Sequence, residues 1–239
     1  MEESDFLPVS DLMAALMIIF MFISISFMVN EKKKTKTLEK VLIDYQKSQN
    51  NIKDILLVYE NSKKHLNDLL HQEFDKDLKK FNAEITNDNR IIFYIPFESG
   101  KSEVPDIFKN ILTDFFPRYI KIISSYDIKP EIKSINIEGH TSNIWTYAKN
   151  NEEVYINNLK LSQARAKNVL IYVYSLDKFM VNQNRNWLEK TLKANGLAFA
   201  HPLIINGYID WNKSKRVEFK VITKSEEKIE EILKNLKKN

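Results

Sequence analysis

A chain of 239 residues has the length for one ordinary domain with an extension beside it, and 44% hydrophobic residues is normal for a folded protein. A net charge of +4, from Lys and Glu mixed along the chain, is too small to argue for a nucleic-acid partner. The lack of Cys excludes disulfides and Cys-based metal sites. With four His and no HExxH, Walker A or GxSxG pattern, neither a metal hydrolase nor a nucleotide enzyme is expected.

The first element is "DLMAALMIIFMFISISFMVN". Residues 12–29 are apolar except for Ser24 and Ser26. At about 1.5 Å per residue the run reaches about 27 Å, close to the roughly 30 Å of a bilayer core. A cleaved signal peptide would have a basic start and a small-residue cleavage site. Here Glu2, Glu3 and Asp5 precede the run, and Phe27, Met28, Val29 and Asn30 end it. The expectation is a retained single-pass anchor, with residues 1–11 as a short tail and 12–30 as the transmembrane helix. Lys32, Lys33, Lys34 and Lys36 follow it, and the positive-inside rule would put that side in the cytoplasm. Asp11 at the mouth of the span has two readings. It is either a first-turn acid that suits the helix dipole, or an intramembrane carboxylate facing a partner or a water path.

Next comes a seam of Leu38, Leu42, Tyr45, Gln49, Ile52, Leu56, Tyr59, Lys63, Leu66 and Leu70, in steps alternating between four and three. Such a heptad pattern over residues 31–86 predicts a helical linker forming a parallel two-stranded coiled coil, with Gln49 and Lys63 fixing register. The other reading is an amphipathic helix packed on the chain's own domain.

Beyond the turn signal Asn87-Asp88-Asn89, "RIIFYIPF" reads as a strand. "DIFKNILTDFFPRYIKIISSY" reads as a helix that Pro117 must kink or break. "EIKSINIEG" alternates as a strand. "NLKLSQARAKNVLIYVYSL" predicts a helix with Leu161, Ala164, Val169, Leu170 and Val173 inward. "NWLEKTLKANG" reads as a helix ending at Gly196, "RVEFKVIT" as a last strand, and "SEEKIEEILKNLKK" as a polar terminal helix over 225–239. The order predicts an α+β domain over 87–224, an α/β sandwich with helices covering one face of a mixed sheet.

Five stretches then carry a resemblance: "FYIPFESGKSEV", "INIEGHTSN", "NNLKLSQARAKNV", "ANGLAFAHPL" and "NKSKRVEFKVI". Together, in this order from about Arg90 to Thr223, they resemble the OmpA-like peptidoglycan-binding domain. The resemblance implies a groove for the peptide stem of peptidoglycan, whose diamino acid offers a carboxylate and an ammonium. Arg165 matches the arginine that grips the carboxylate, in the bidentate way a guanidinium allows. Asn158 and Leu161 match positions lining the same pocket, Gly139, His140 and Thr141 match the loop that presents backbone donors, and Arg216 matches a supporting arginine. Ser142 stands where the family usually has the Asp that pairs with the ammonium. The insertion "IWTYAKNNEEVYINN" offers Glu152 and Glu153 as substitutes. Left to the residues alone, His140 could equally be a buried loop histidine and Arg165 a surface ion-pair partner.

A single span with an acid near its start, joined to such a domain, resembles the MotB-type stator subunits, and the span and layout look most like the B subunits of Zorya anti-phage defence systems. The resemblance implies a homodimer within a pentameric ring of a multispanning A-type partner. Asp11 would carry a translocated H⁺ or Na⁺, with no other cofactor, no catalytic residues and no bound metal. It implies a bacterial inner-membrane protein with a cytoplasmic N-terminus and a periplasmic domain on peptidoglycan, against the lysine count. A flagellar stator subunit and a passive tether between membrane and wall are the alternatives.

Overall fold

The computed structural model describes residues 6–95 and 97–236. Glu2, Glu3 and Asp5 of the expected tail, and residues 237–239 of the expected terminal helix, lie outside them. The chain forms two compact units, Met1–Asp54 and Ile55–Asn239.

Helix α1 (Phe6–Phe81) supplies the described part of the first unit. Among the described residues it is the one helix long and apolar enough to cross a membrane, and its side chains from Leu12 to Val29 are exposed. The described helix has no acid in its first turn. Asp11 sits beyond that turn, where the dipole interaction has fallen away, so the capping reading of this residue loses its geometry.

In the second unit the end of α1 is core rather than linker. Leu66, Leu70, Phe74 and Phe81 are all buried there. Asn67 and the backbone of Lys63 hold the turn at Thr86–Asn89 by hydrogen bonds of 2.9–3.0 Å. The expected linker over 31–86 is therefore corrected. Its last two seam residues turn into the chain's own domain, while Leu38, Leu42, Tyr45 and Leu56 remain exposed. The heptad pattern could not reveal this, because a coiled-coil seam and a core-facing stripe share nearly the same period.

The helix stops at Asn82, whose φ of 48° lies in the left-handed region that Asn tolerates. Strands β1 (Ala83–Ile85) and β2 (Arg90–Phe93) follow as a hairpin. Helix α2 (Asp106–Ile123) is continuous through Pro117, so of the expected kink or break the break does not occur. Eight buried side chains along it, including Phe108, Phe115, Phe116 and Tyr119, anchor both halves and outweigh the hydrogen bond that proline removes. Arg118 joins α2 to α1, with Nε 2.7 Å from Glu73 and Nη2 2.8 Å from Asp77.

Strand β3 (Ile132–Gly139) leads into helix α3 (Asn151–Tyr174), short helices α4 (Phe179–Gln183) and α5 (Arg185–Thr191), and strand β4 (Leu192–Gly196). The sequence reading extended the α5 helix to Gly196. Instead "LKANG" leaves the helix and pairs in parallel with β3, Leu192 opposite Ile135 and Gly196 opposite Gly139. A hairpin of β5 (Leu203–Ile205) and β6 (Tyr208–Asp210), helix α6 (Trp211–Ser214), strand β7 (Val217–Thr223) and helix α7 (Lys224–Leu236) complete the unit.

The five-stranded sheet has the order β1-β2-β7-β3-β4, with β3 and β4 parallel and the other pairs antiparallel. This is the expected α+β architecture on a mixed sheet. Ile91, Phe93, Ile135, Ile137, Val217 and Phe219 share one sheet face with the helices, and the ring of Phe219 meets those of Phe93, Phe115, Phe116 and Tyr119. By the two-residue alternation of strands, Arg90, Glu138 and Glu218 share the opposite face.

The corrected boundary has a direct test. Leu70→Ala should lower the stability of the second unit by about 2–5 kcal/mol, and Leu42→Ala should leave it unchanged. Urea unfolding of the full chain in detergent, followed by tryptophan fluorescence, reads that unit selectively because Trp145, Trp187 and Trp211 all lie in it.

Candidate functional site

The middle of α3 carries the site. Its inward face is Asn158, Ser162, Arg165, Ala166, Val169 and Val173, spaced as a helix requires, polar in its first half and apolar in its second. The apolar half belongs to the core. The polar half meets the ends of β3 and β4, and two glycines set that approach. A Cβ on Gly139 would sit 2.3 Å from the Ser162 carbonyl oxygen, and one on Gly196 would sit 2.3 Å from the Gln163 nitrogen. Ser162 Oγ donates to the Leu159 carbonyl and accepts from the Ala198 N–H at 3.0 Å, which locks the junction.

One turn further on, Arg165 is buried. Its Nε and Nη2 donate to the carbonyls of Lys101 and Glu98, both at 3.0 Å, and its guanidinium lies 4.7 Å from the centre of the Phe97 ring. Burial lowers its pKa to about 10, which still leaves it charged at neutral pH. Asn168 adds a 2.8 Å bond to the Ser102 carbonyl. The segment "FESGKS" is thus clamped onto α3 and turns through Gly100 at φ 72°. On the other side, buried Asn158 donates to the carbonyls of Ile144 and Val154 and holds the 141–150 loop.

Between these loops lies an open groove of about 960 Å³. It brings together Thr141, Ser142, Asn158, Leu161 and Arg165, five of the residues expected there. Leu161 is half-buried at the groove rather than in the core. Tyr94, Phe97, Trp145 and Tyr147 add aromatic walls, and Lys79, Lys213 and Lys215 add positive charge.

Gly139, His140 and Arg216 lie elsewhere. The loop does not present the backbone donors expected of it. His140 N–H donates to the Arg216 carbonyl at 3.0 Å and Thr141 N–H to the Ala198 carbonyl at 2.8 Å, so the segments flanking β7 and β4 take both. Arg216 and Arg90 each donate to Glu218, on Oε1 and on Oε2. Glu138 lies 3.9 Å from Arg90, and His140 Nε2 lies 3.5 Å from Glu218. Glu138, His140 and Glu218 offer ligand atoms within 4.8 Å of one another, as a metal would need. Two guanidiniums already balance the two carboxylates, so a divalent cation would bring uncompensated charge into a buried place. The cluster is a structural ion network. Neither ring nitrogen of His140 has a hydrogen-bond partner among the described residues, and burial, followed by the Arg216 charge, holds its pKa down to about 3.

No family model matches the chain. The Zorya protein ZorB of Escherichia coli is 38% identical to it over 237 residues, covering 97% of this chain and 93% of the relative. The chain belongs to the ZorB family. Among solved structures, a putative MotB-like protein from Desulfovibrio vulgaris is 16% identical, with a TM-score of 0.45, covering 72% of this chain and 99% of that one. The periplasmic domain of Helicobacter pylori MotB is 20% identical, with a TM-score of 0.38, covering 64% of this chain and 89% of that one.

In this ZorB-family chain the insertion does not return the missing acid to the groove. Glu153 caps α3, its carboxylate accepting from Lys149 N–H at 2.7 Å while its own N–H donates to Asn150 at 2.8 Å. Glu152 is exposed and outside the lining. The aromatic walls and the three lysines escaped the sequence reading. "IWTY" and "NKSK" carry the signal, but only the fold brings them to the same groove as Arg165.

The buried histidine sets a pH dependence. In the unfolded chain His140 titrates near its ordinary 6.5, so below that pH the unfolded state binds more protons and stability falls until the folded value near 3 is reached. Between pH 7.5 and 5 the second unit should lose about 2 kcal/mol from this residue, the slope approaching about 1.4 kcal/mol per pH unit only below about pH 6. Urea midpoints across that range measure it, and His140→Asn should flatten the slope.

Proposed function

We propose that this protein is the wall-anchored subunit of an ion-driven membrane motor of stator type that acts in anti-phage defence. The observation that carries the reading is the identity of 38% with a Zorya protein along nearly the whole of both chains. Two features of the molecule support it: one apolar helix able to cross a membrane, and a groove built around Arg165. On this reading the apolar helix crosses the inner membrane once, with residues 1–11 cytoplasmic and the second unit in the periplasm on peptidoglycan. The exposed seam of Leu38, Leu42, Tyr45 and Leu56 pairs two copies, and the pair sits inside a pentameric ring of a multispanning partner.

Asp11 is the ion carrier in this scheme. A carboxylate inside a span is costly unless it faces a partner or a water path. Enclosure in a dry ring would favour its neutral form, so it could take up H⁺ or Na⁺ on one side and release it on the other. Arg165 holds a stem-peptide carboxylate in the groove and thereby braces the subunit against the wall while the ring turns.

Two experiments test the reading. Asp11→Asn should preserve co-purification with the membrane partner and abolish phage protection, and full protection by the variant would remove the ion-carrier role. Arg165→Lys keeps a cation but loses the planar fork. It should reduce pelleting of the full chain with purified sacculi by about tenfold, the effect of losing a good charge-assisted hydrogen bond. Unchanged pelleting would take Arg165 out of the binding site.

A further inference from the structure

The charge of the groove says more about its occupant. Lys79, Arg165, Lys213 and Lys215 line it, and none of the described lining residues is Asp or Glu. The three lysines have no carboxylate within ion-pair distance among the described residues, so their charge is presented to whatever enters. Three acids next to lining residues are engaged. Glu84 accepts the Tyr94 hydroxyl at 2.7 Å, Glu98 pairs with Lys101, and Asp210 accepts from the N–H groups of Asn212 and Lys213. Ser142 offers a hydroxyl without charge, and Glu153 is occupied in capping α3.

Aromatic faces could in principle replace a carboxylate as a seat for an ammonium. Two of the four are already covered by the chain's own cations, Phe97 by Arg165 at 4.7 Å and Tyr94 by Lys213 at 5.9 Å. Trp145 and Tyr147 remain, and their flat apolar faces suit a neutral planar group such as an amide. Tyr147 is 90% exposed and offers no enclosed seat, and an ammonium entering beside Trp145 would meet the like charge of Lys79, Arg165, Lys213 and Lys215. An acylated amine meets no such repulsion.

We propose that this groove reads the wall's stem peptide through its carboxylates alone, and that it favours stems whose side-chain amine is acylated, as in a cross-link, over stems with a free ammonium. The inference rests on the wall-anchoring reading above. Arg165 and the lysines take the carboxylates, and Trp145 and Tyr147 cover the amide. The subunit would then grip the load-bearing, cross-linked part of the wall, where a brace is mechanically useful.

The test uses the full chain in detergent and three forms of one monomeric muropeptide: with a free side-chain amine, with that amine acetylated, and with its carboxyl groups converted to amides. Calorimetry should give the acetylated form a Kd at least about threefold below the free-amine form. The carboxamide form should bind at least about tenfold more weakly than either. Ser142→Asp should reverse the order of the first two. Tighter binding of the free amine by the unmodified chain would overturn the selectivity and leave the anchor standing, as would carboxamides binding as well as carboxylates. Failure to bind any muropeptide, together with failure to pellet with sacculi, would overturn the anchor itself.

Discussion

The close approach of α3 to the ends of β3 and β4 is the contact on which the site depends. It exists because Gly139 and Gly196 have no Cβ where the α3 backbone passes. With the helix pressed onto the strand ends, Ser162 can bridge to Ala198, and Arg165 lands one turn further along, beneath the segment at Phe97–Ser102. The same helix face is apolar from Ala166 onward, so one element both anchors the core and carries the groove. Function and stability are coupled here through geometry: whatever shifts α3 for packing reasons also moves the guanidinium.

Three arginines near the ends of the sheet differ in their surroundings. Arg90 and Arg216 neutralise Glu218 on the polar side of the sheet and are satisfied by the chain itself. Arg165 is as buried as Arg216 but pairs with no carboxylate among the described residues, and its donors reach backbone carbonyls. A buried cation without a counter-ion is expensive unless its environment expects one. The surrounding lysines add to this positive field instead of relieving it, which is why the proposed occupant is an anion.

Much was legible in the sequence because it depends on local rules. The apolar run of residues 12–29, the alternating strand at Ile132–Gly139 and the helix through "LSQARAKNV" follow from period and composition, and the resemblance to OmpA-like domains pointed to Asn158, Leu161 and Arg165, which line the groove. Local rules also misled. "LKANG" continues a helical pattern and becomes a strand because β3 offers it a parallel partner. Pro117 signals a kink or a break, and the break does not occur because buried aromatic side chains hold both halves of the helix. His140 and Arg216 belong to conspicuous motifs, yet their side chains serve the ion network behind the sheet, away from the groove.

By itself, then, the sequence determined the apolar helix and the main helices and strands of the second unit, because each is set by residues near one another in the chain, and it marked Arg165 through a resemblance spread over the domain. The tertiary structure alone decided where α1 stops being linker and becomes core, which side of the sheet each charged residue serves, and that the described residues lining the groove include cations and no acid. These are sums over residues as far apart as Lys79, Ser142 and Lys215, and only the packing of the helices on the sheet brings such residues within range of one another.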